Sequence, residues 1–531
     1  MSIPKRLLIA AAGLVFAAIA VTGAVAYKTK SKVEDAFALN EQRKAEGYDL
    51  SWFEFQGLAA LYRLDHGDIL EGLSVIDRLH GKLSTTEGLA RIPEFTDAKQ
   101  TLEFYRNLQH PVTGAFYPDV RDPLFAYVGV TANMINLIKD LSGKADEPFR
   151  LKYPLRFLNR IDTPETLRAF LDDASTVGWV GAETKPPFVA AIEVMDLLEQ
   201  SEELGIYAFS DAWKQAFYQW FIDNQDPETG LWGARMRGSG KIIGGGGLEE
   251  SEKVIKLFVD NRGNDRIFGF PLPNKDRIFA SVLDRLDPPM PDDPMRRHEW
   301  ILIKDRGIRT LTRHLWKDAS PAHRDAAKRL IEDFIALRFE RYFVEPDGAF
   351  SLYPDAGHAD LDGTGEALGM FKYIGALSPR MQTRLWGAPG ETIADLGRIG
   401  TARIDRDVLS LVLDHPAVNS VRFYAADPGA ALLTGVAGVH YPRGRTVLDT
   451  ADLLPRVLRW AETTEQRMGN WVGKDLVLQR AGFIEPGEIP VFGGDVAERA
   501  DAILKRGGIL AAVGFDVLQV PRVKVVYTCA R

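Results

Sequence analysis

Between residues 31 and 380 the apolar positions recur at spacings of three and four. WFEFQGLAALYRL (52–64), VTANMINLIKDL (130–141), PFVAAIEVMDLLEQ (187–200) and DAWKQAFYQWFIDNQ (211–225) each gather their apolar residues on one helical face. The same holds for LEESEKVIKLFVDN (248–261), HEWILIKDRGIRTLTRHLW (298–316) and RDAAKRLIEDFIALRFERYF (324–343). In the last, Leu330, Ile331, Phe334, Ile335 and Leu337 carry one broad face. Pro and Gly clusters separate these runs, where helices should stop. Beyond residue 400 the pattern changes. VLSLVLD (408–414) and VNSVRFYAA (418–426) read as strands, a helix is expected over 453–468, and further helix and strand signals follow over 498–530. That mixture predicts a small α/β domain. The expected organisation is a membrane anchor or signal segment at 1–30, a helical domain at 31–380, a linker at 381–400 and an α/β domain at 401–531.

The first 30 residues follow neither pattern. MSIPKR is a short positive leader, and residues 7–26, LLIAAAGLVFAAIAVTGAVA, form a twenty-residue run without a charge. As a helix this run is about 30 Å long, one bilayer core. It is longer than the roughly 7–15 residue apolar core of a signal peptide. The expectation is a single-pass helix that holds the lipid bilayer as a partner, with the bulk of the chain on the periplasmic side of an inner membrane. Ala24-Val25-Ala26 supplies the rival reading, cleavage after Ala26 and a secreted or periplasmic product. Lys5 and Arg6 before the run are balanced by Lys28, Lys30 and Lys32 after it, so charge barely orients the segment.

Three of the interruptions between helices are alike: NLQHPVTGAFYPD at 107–119, DNQDPETGLWGAR in the 220s and 230s, and VEPDGAFSLYPDAG at 344–357. Each sets a glycine two residues ahead of an aromatic: Gly114 and Phe116, Gly230 and Trp232, Gly348 and Phe350. The glycines are 116 and 118 residues apart, and a new helix begins after each turn, at Thr131, at Glu249–Glu250 and at Glu366. A glycine that permits a left-handed turn and an aromatic that packs it on the helix ends would join concentric helical hairpins. An irregular helical array would show similar turns, because D-P-x-T-G is common turn chemistry.

The Q-x-P-x-T-G-x-W/F turns and the later DLDGTGEALG resemble the α/α toroid superfamily of terpenoid cyclases and protein prenyltransferases, over residues 50–380. The resemblance implies a mainly α fold: an α/α toroid, here with a smaller C-terminal α/β domain and an N-terminal transmembrane helix. In the class II cyclases of that superfamily a D-x-D-D-T-A motif supplies the acid that protonates a polyene. Asp360 matches its first acid and Asp362 the middle, proton-donating one. Gly363 stands in place of the last acid and Gly365 in place of the alanine, so the match bears on the fold more than on cyclisation.

Candidate chemistry centres on that stretch. Asp360 and Asp362 could share one site if the glycines bend the chain, raising one pKa and making a general acid that His358 completes. Against this, an Asp ahead of a helix accepts free backbone N–H groups, which explains Asp362 as a cap. The H-x-D-x-D spacing does not specify a metal, and no cofactor is implied. Rim or binding residues would include Asp355, and in GSGKIIGGGGLEESEKVIK (238–256) Lys241, Glu249 and Glu250. Trp232 and Tyr353 read as turn anchors or as a sugar platform. With 65 basic against 73 acidic residues, net −8, a nucleic-acid partner is excluded. The single cysteine, Cys529, allows no internal disulfide. Two functions remain open: a membrane-anchored envelope protein whose toroid cavity does acid/base chemistry on a lipid-linked, glycan or isoprenoid substrate, or a non-catalytic envelope scaffold or partner-binding protein.

Overall fold

The computed structural model describes residues 23–117, 121–184, 192–267 and 269–374, and beyond these only isolated stretches between 381 and 525. Contacts gather into two compact units, residues 1–258 with 267–273, and residues 259–266 with 274–531.

The first unit is built from helices α1 (Gly23–Ala45), α2 (Phe53–Asp65), α3 (Ile69–Thr85), α4 (Ala98–Asn107), α5 (Leu124–Lys144), α6 (Pro164–Ser175), α7 (Val194–Leu204), α8 (Asp211–Asp223) and α9 (Leu248–Phe258). Local chemistry sets several starts. Asp97 accepts the Gln100 N–H ahead of α4, Ser210 accepts the Trp213 N–H ahead of α8, and Thr163 forms a capping box with Thr166 ahead of Pro164. Helices α5, α7 and α9 form one layer. Gly129 of α5 faces Glu193, the Ala132 carbonyl accepts Gln200 Nε2 at 2.9 Å, and Lys139 pairs with Glu203 at 2.6 Å. Contacts that advance together along both chains mean that α5 and α7 run in the same direction. Glu193 then pairs with Lys253 of α9 at 3.2 Å. Helices α6 and α8 form a second layer, also running the same way. Trp213 Nε1 donates to the Ile161 carbonyl at 2.6 Å and Trp220 Nε1 to Asp172 at 2.8 Å. Along α8 Trp213 stacks on Phe217, which meets Phe221 edge-on, and all three are fully buried.

The second unit repeats this grammar with α10 (Lys275–Leu286), α11 (Pro294–Arg309), α12 (Pro321–Leu337) and α13 (Leu361–Tyr373). Here α11 packs on α13, and α10 on α12 through Phe279 stacked on His323 at 5.0 Å. Three antiparallel strands, β1 (Ile399–Asp405), β2 (Val408–His415) and β3 (Val418–Tyr424), pair in the order β1-β2-β3. The elements expected over 453–468 and 498–530, like Cys529, lie mainly or wholly outside the described residues.

The three glycine–aromatic turns have one geometry. Gly114, Gly230 and Gly348 have φ of 74°, 72° and 68°, a region that costs a residue with a Cβ about 1–2 kcal/mol. Each glycine N–H donates four residues back at 2.8 Å, to His110, Asp226 and Val344. The aromatic is then fastened to the next helix. The N–H groups of Phe116, Trp232 and Phe350 donate to the hydroxyls of Thr131 (3.2 Å), Ser251 (2.9 Å) and Thr364 (3.1 Å). Gln109 and Gln225 brace the first two turns by donating to the glycine carbonyl, both at 2.7 Å, whereas the third turn has Phe343 at that position. All three hydroxyls are buried, so their loss leaves backbone groups unpaired. Thr131→Val, Ser251→Ala and Thr364→Val are each expected to lower stability by about 1–3 kcal/mol in urea unfolding. Values near zero would mean that the hydroxyls are incidental.

The expected fold class is corrected. The chain is mainly α-helical, and among the described residues no helix is long and apolar enough to cross a membrane. Residues 7–22 of the expected span lie outside the described residues. Its last residues open α1, which continues through Lys28, Lys30, Lys32, Glu34 and Asp35. That helix docks on protein: Lys32 pairs with Asp77, Phe37 meets Phe53 edge-on at 5.4 Å, and Val33 packs on the cluster of Ala60, Val75 and Ile76. The transmembrane helix, the bilayer as a partner through residues 7–26 and the single-pass inner-membrane location are withdrawn on this finding.

Candidate functional site

The acidic stretch resolves into separate structural duties. Asp360, not Asp362, caps α13. Its Oδ1 accepts the Gly363 N–H at 2.6 Å, and its Oδ2 accepts Ser351 Oγ and the Leu352 N–H, both at 2.8 Å. Its own N–H donates to the Phe350 carbonyl at 3.0 Å, so one carboxylate ties the helix start to the turn before it. The helix therefore begins one residue ahead of Asp362, which falls in its first turn. Asp362 is exposed at its edge. Partial burial, and then the nearby Asp360 and Glu366 carboxylates, push its carboxyl up. Asp355 sits at φ 57° with its carboxylate on the Arg341 guanidinium, which holds the acid below its usual range. His358 points into solvent with its side chain 92% exposed, and its nearest acid is Asp347 at 3.7 Å. His358 therefore pairs with neither Asp360 nor Asp362. Among the described residues no group of three His, Cys, Asp or Glu could hold a metal.

This division of labour separates two substitutions. Asp360→Ala is expected to cost about 0.5–2 kcal/mol in thermal unfolding, as loss of a helix cap does. Asp362→Asn removes a carboxylate that its neighbours repel and should leave the melting temperature unchanged or slightly raised. The reverse ranking would return the cap to Asp362.

Trp232 is fully buried, its indole N–H on the Phe221 carbonyl at 2.7 Å, so it anchors a turn and offers no sugar platform. Tyr353 is 41% exposed and stacks on His298 at 5.6 Å. Glu250 is buried at the start of α9, with Glu249 half-buried beside it, and Lys241 is exposed in the glycine loop. Lys241, Glu249 and Glu250 belong to the first unit, whereas Asp360 and Asp362 belong to the second.

Two groupings were invisible in the sequence. In the second unit Asp305 of α11 pairs with Arg338, which is fully buried. Asp305 Oδ1 and Arg338 Nε and Nη1 have no hydrogen-bond partner. Burial, opposed by Arg338 and reinforced by Glu366 of α13, pushes the Asp305 carboxyl up to about 7. The pair is sealed from solvent, so it is a core feature and offers no access to a ligand.

In the first unit a cleft of about 560 Å³ opens between the end of α2, the start of α5 and the outer face of α6, within the usual range for ligand sites. Tyr62 and Arg63 come from α2, Arg121 to Phe125 lead into α5, Arg160 lies ahead of α6, and Thr166, Ala169, Phe170 and Asp173 lie along it. Both carboxylates are answered by neighbours. Asp122 accepts Tyr117 Oη at 2.6 Å and lies 3.5 Å from Arg78. Asp173 accepts Tyr62 Oη at 2.6 Å and lies 3.5 Å from His66 Nε2. Burial and then this bond to Asp173 hold the Tyr62 phenol well above its ordinary pKa, so it serves as a donor and not as a base. Arg63 and Arg160 are less fully matched. Arg63 leans on Asp68 at 3.4 Å and the Arg121 carbonyl at 2.9 Å, but its Nε is buried without a partner, and Arg160 is exposed at the rim. The cleft is thus a local positive site, with an apolar wall, on a chain of net charge −8. Comparison with family models, curated proteins and solved structures gives no match to this chain.

Proposed function

We propose that this chain is a non-catalytic binding protein, and that the cleft of α2, α5 and α6 is where it takes its partner. The observation that carries this reading is the contrast between the two regions. Every acid of the expected catalytic stretch except Asp362 is spent on a cap or an ion pair, while in the cleft Arg160 is exposed with no ion pair among the described residues and the Nε of Arg63 has no acceptor among them. The general acid expected here was an Asp360–Asp362 pair completed by His358, but His358 points to solvent and Asp360 is held by the turn and the helix start. The hydroxyl lock that the three turns share supports the resemblance to the toroid superfamily as a likeness of building block, separate from its chemistry. A thermal-shift screen of small acids, amines, sugars and short peptides tests the reading. Ligands that stabilise the wild type should fail with Ala169→Trp, which fills the cleft from an exposed position on α6, and should act normally on Asp362→Asn. Stabilisation that survives Ala169→Trp, or disappears in Asp362→Asn, would refute it.

A further inference from the structure

The chemistry of the cleft narrows what it can hold, given the binding reading above. Guanidinium groups favour planar oxyanions, which they meet with paired N–H donors. Two of the cleft's arginines have donors in reserve: Arg160, exposed at the mouth with no ion pair among the described residues, and Arg63, which leans on Asp68 and the Arg121 carbonyl but whose Nε has no acceptor among them. Attraction to the arginines and repulsion from Asp122 and Asp173, which also line the cleft, both scale with ligand charge, so the rest of the lining decides between oxyanions. Tyr62 Oη, already donating to Asp173, has no proton to spare for a further phosphate oxygen. Apart from Arg121 and Thr166, the remainder of the lining is Pro123, Leu124, Phe125, Ile161, Ala169 and Phe170, which favours an apolar body next to the charge.

We propose that this cleft binds an amphipathic monocarboxylate, its carboxylate on Arg160 and Arg63 and its apolar body against Pro123, Ala169 and Phe170. A medium-chain fatty acid and the free C-terminus of an apolar peptide both present that chemistry. Isothermal titration of the full chain with octanoate, octanol, acetyl-Leu-Phe and acetyl-Leu-Phe-amide separates the sources. At least one of the two acids should bind about tenfold or more tightly than its neutral counterpart, and the acid that does so names the source. Arg160→Glu should remove that preference at unchanged melting temperature, since Arg160 is exposed and holds no structural bond. Equal affinity for acid and neutral compound, acid binding unaffected by Arg160→Glu, or no binding of either acid would each overturn the proposal. If the acids fail while Ala169→Trp still abolishes stabilisation by other compounds, the carboxylate assignment falls alone. If Ala169→Trp changes nothing, the binding reading falls with it.

Discussion

Asp305→Ala is expected to destabilise the chain by about 3–5 kcal/mol, because it strands a buried guanidinium. Arg338 is fully buried, its only ion-pair partner among the described residues is Asp305, and two of its nitrogens already lack acceptors. Asp305→Asn keeps an acceptor oxygen and should cost less. The two substitutions also differ from wild type in their pH response. A carboxyl raised to about 7 in the folded chain holds a proton that the unfolded chain has released from about pH 4 upward. The native state therefore binds more protons across that window, and stability falls as pH rises through it. Burial raises Glu54, Glu193 and Asp196 in the same direction, so the chain should unfold at higher urea in mildly acidic buffer than at neutral pH. Asp305→Asn should make that slope shallower. A stability that climbs steadily from pH 4 to 7 would show that the ion pair outweighs its burial.

Gly114→Ala is expected to be the most damaging substitution in the repeated turns. Left-handed backbone costs an alanine about 1–3 kcal/mol when the surroundings enforce it. The added Cβ would also stand 1.9 Å from the Pro154 carbonyl oxygen, which forces a backbone shift worth about another 1–3 kcal/mol. Gly67 supplies the control. It too has a positive φ, 80°, but nothing lies within 4 Å of its added Cβ, so Gly67→Ala should show only the backbone cost. Equal losses at the two positions in urea unfolding would mean that the close approach to Pro154 contributes nothing.

The helices and their turns were legible because their causes are local. Three- and four-residue apolar spacing gave the faces now buried by Ile331, Phe334 and Ile335, and the glycine–aromatic pairs marked turns that share one φ. The cap was misplaced by two residues for a physical reason. Asp360 and Asp362 satisfy the local capping rule equally, and the choice is made by the preceding turn, where Ser351 Oγ and the Leu352 N–H reach Asp360. The N-terminal run illustrates a different limit: twenty uncharged residues satisfy the length of a membrane span, yet the described helix that follows is charged and seated on α2 and α3. The cleft could not be found locally at all. Tyr62 and Asp173 are 111 residues apart, and nothing in the spacing of Arg63, Arg121 and Arg160 marks them as neighbours. The one local hint was Tyr62 of α2 and His66, four residues on at its C-terminal cap, whose rings meet at 3.9 Å.

Hydrogen–deuterium exchange of the full chain with and without a saturating amount of the acid that binds, octanoate or acetyl-Leu-Phe, tests the central claim most directly. The account predicts slower exchange in residues 121–125 and 160–173, which line the cleft, and no change in residues 355–366. Protection confined to 355–366 would contradict it and return the acidic stretch to the centre of the protein's function.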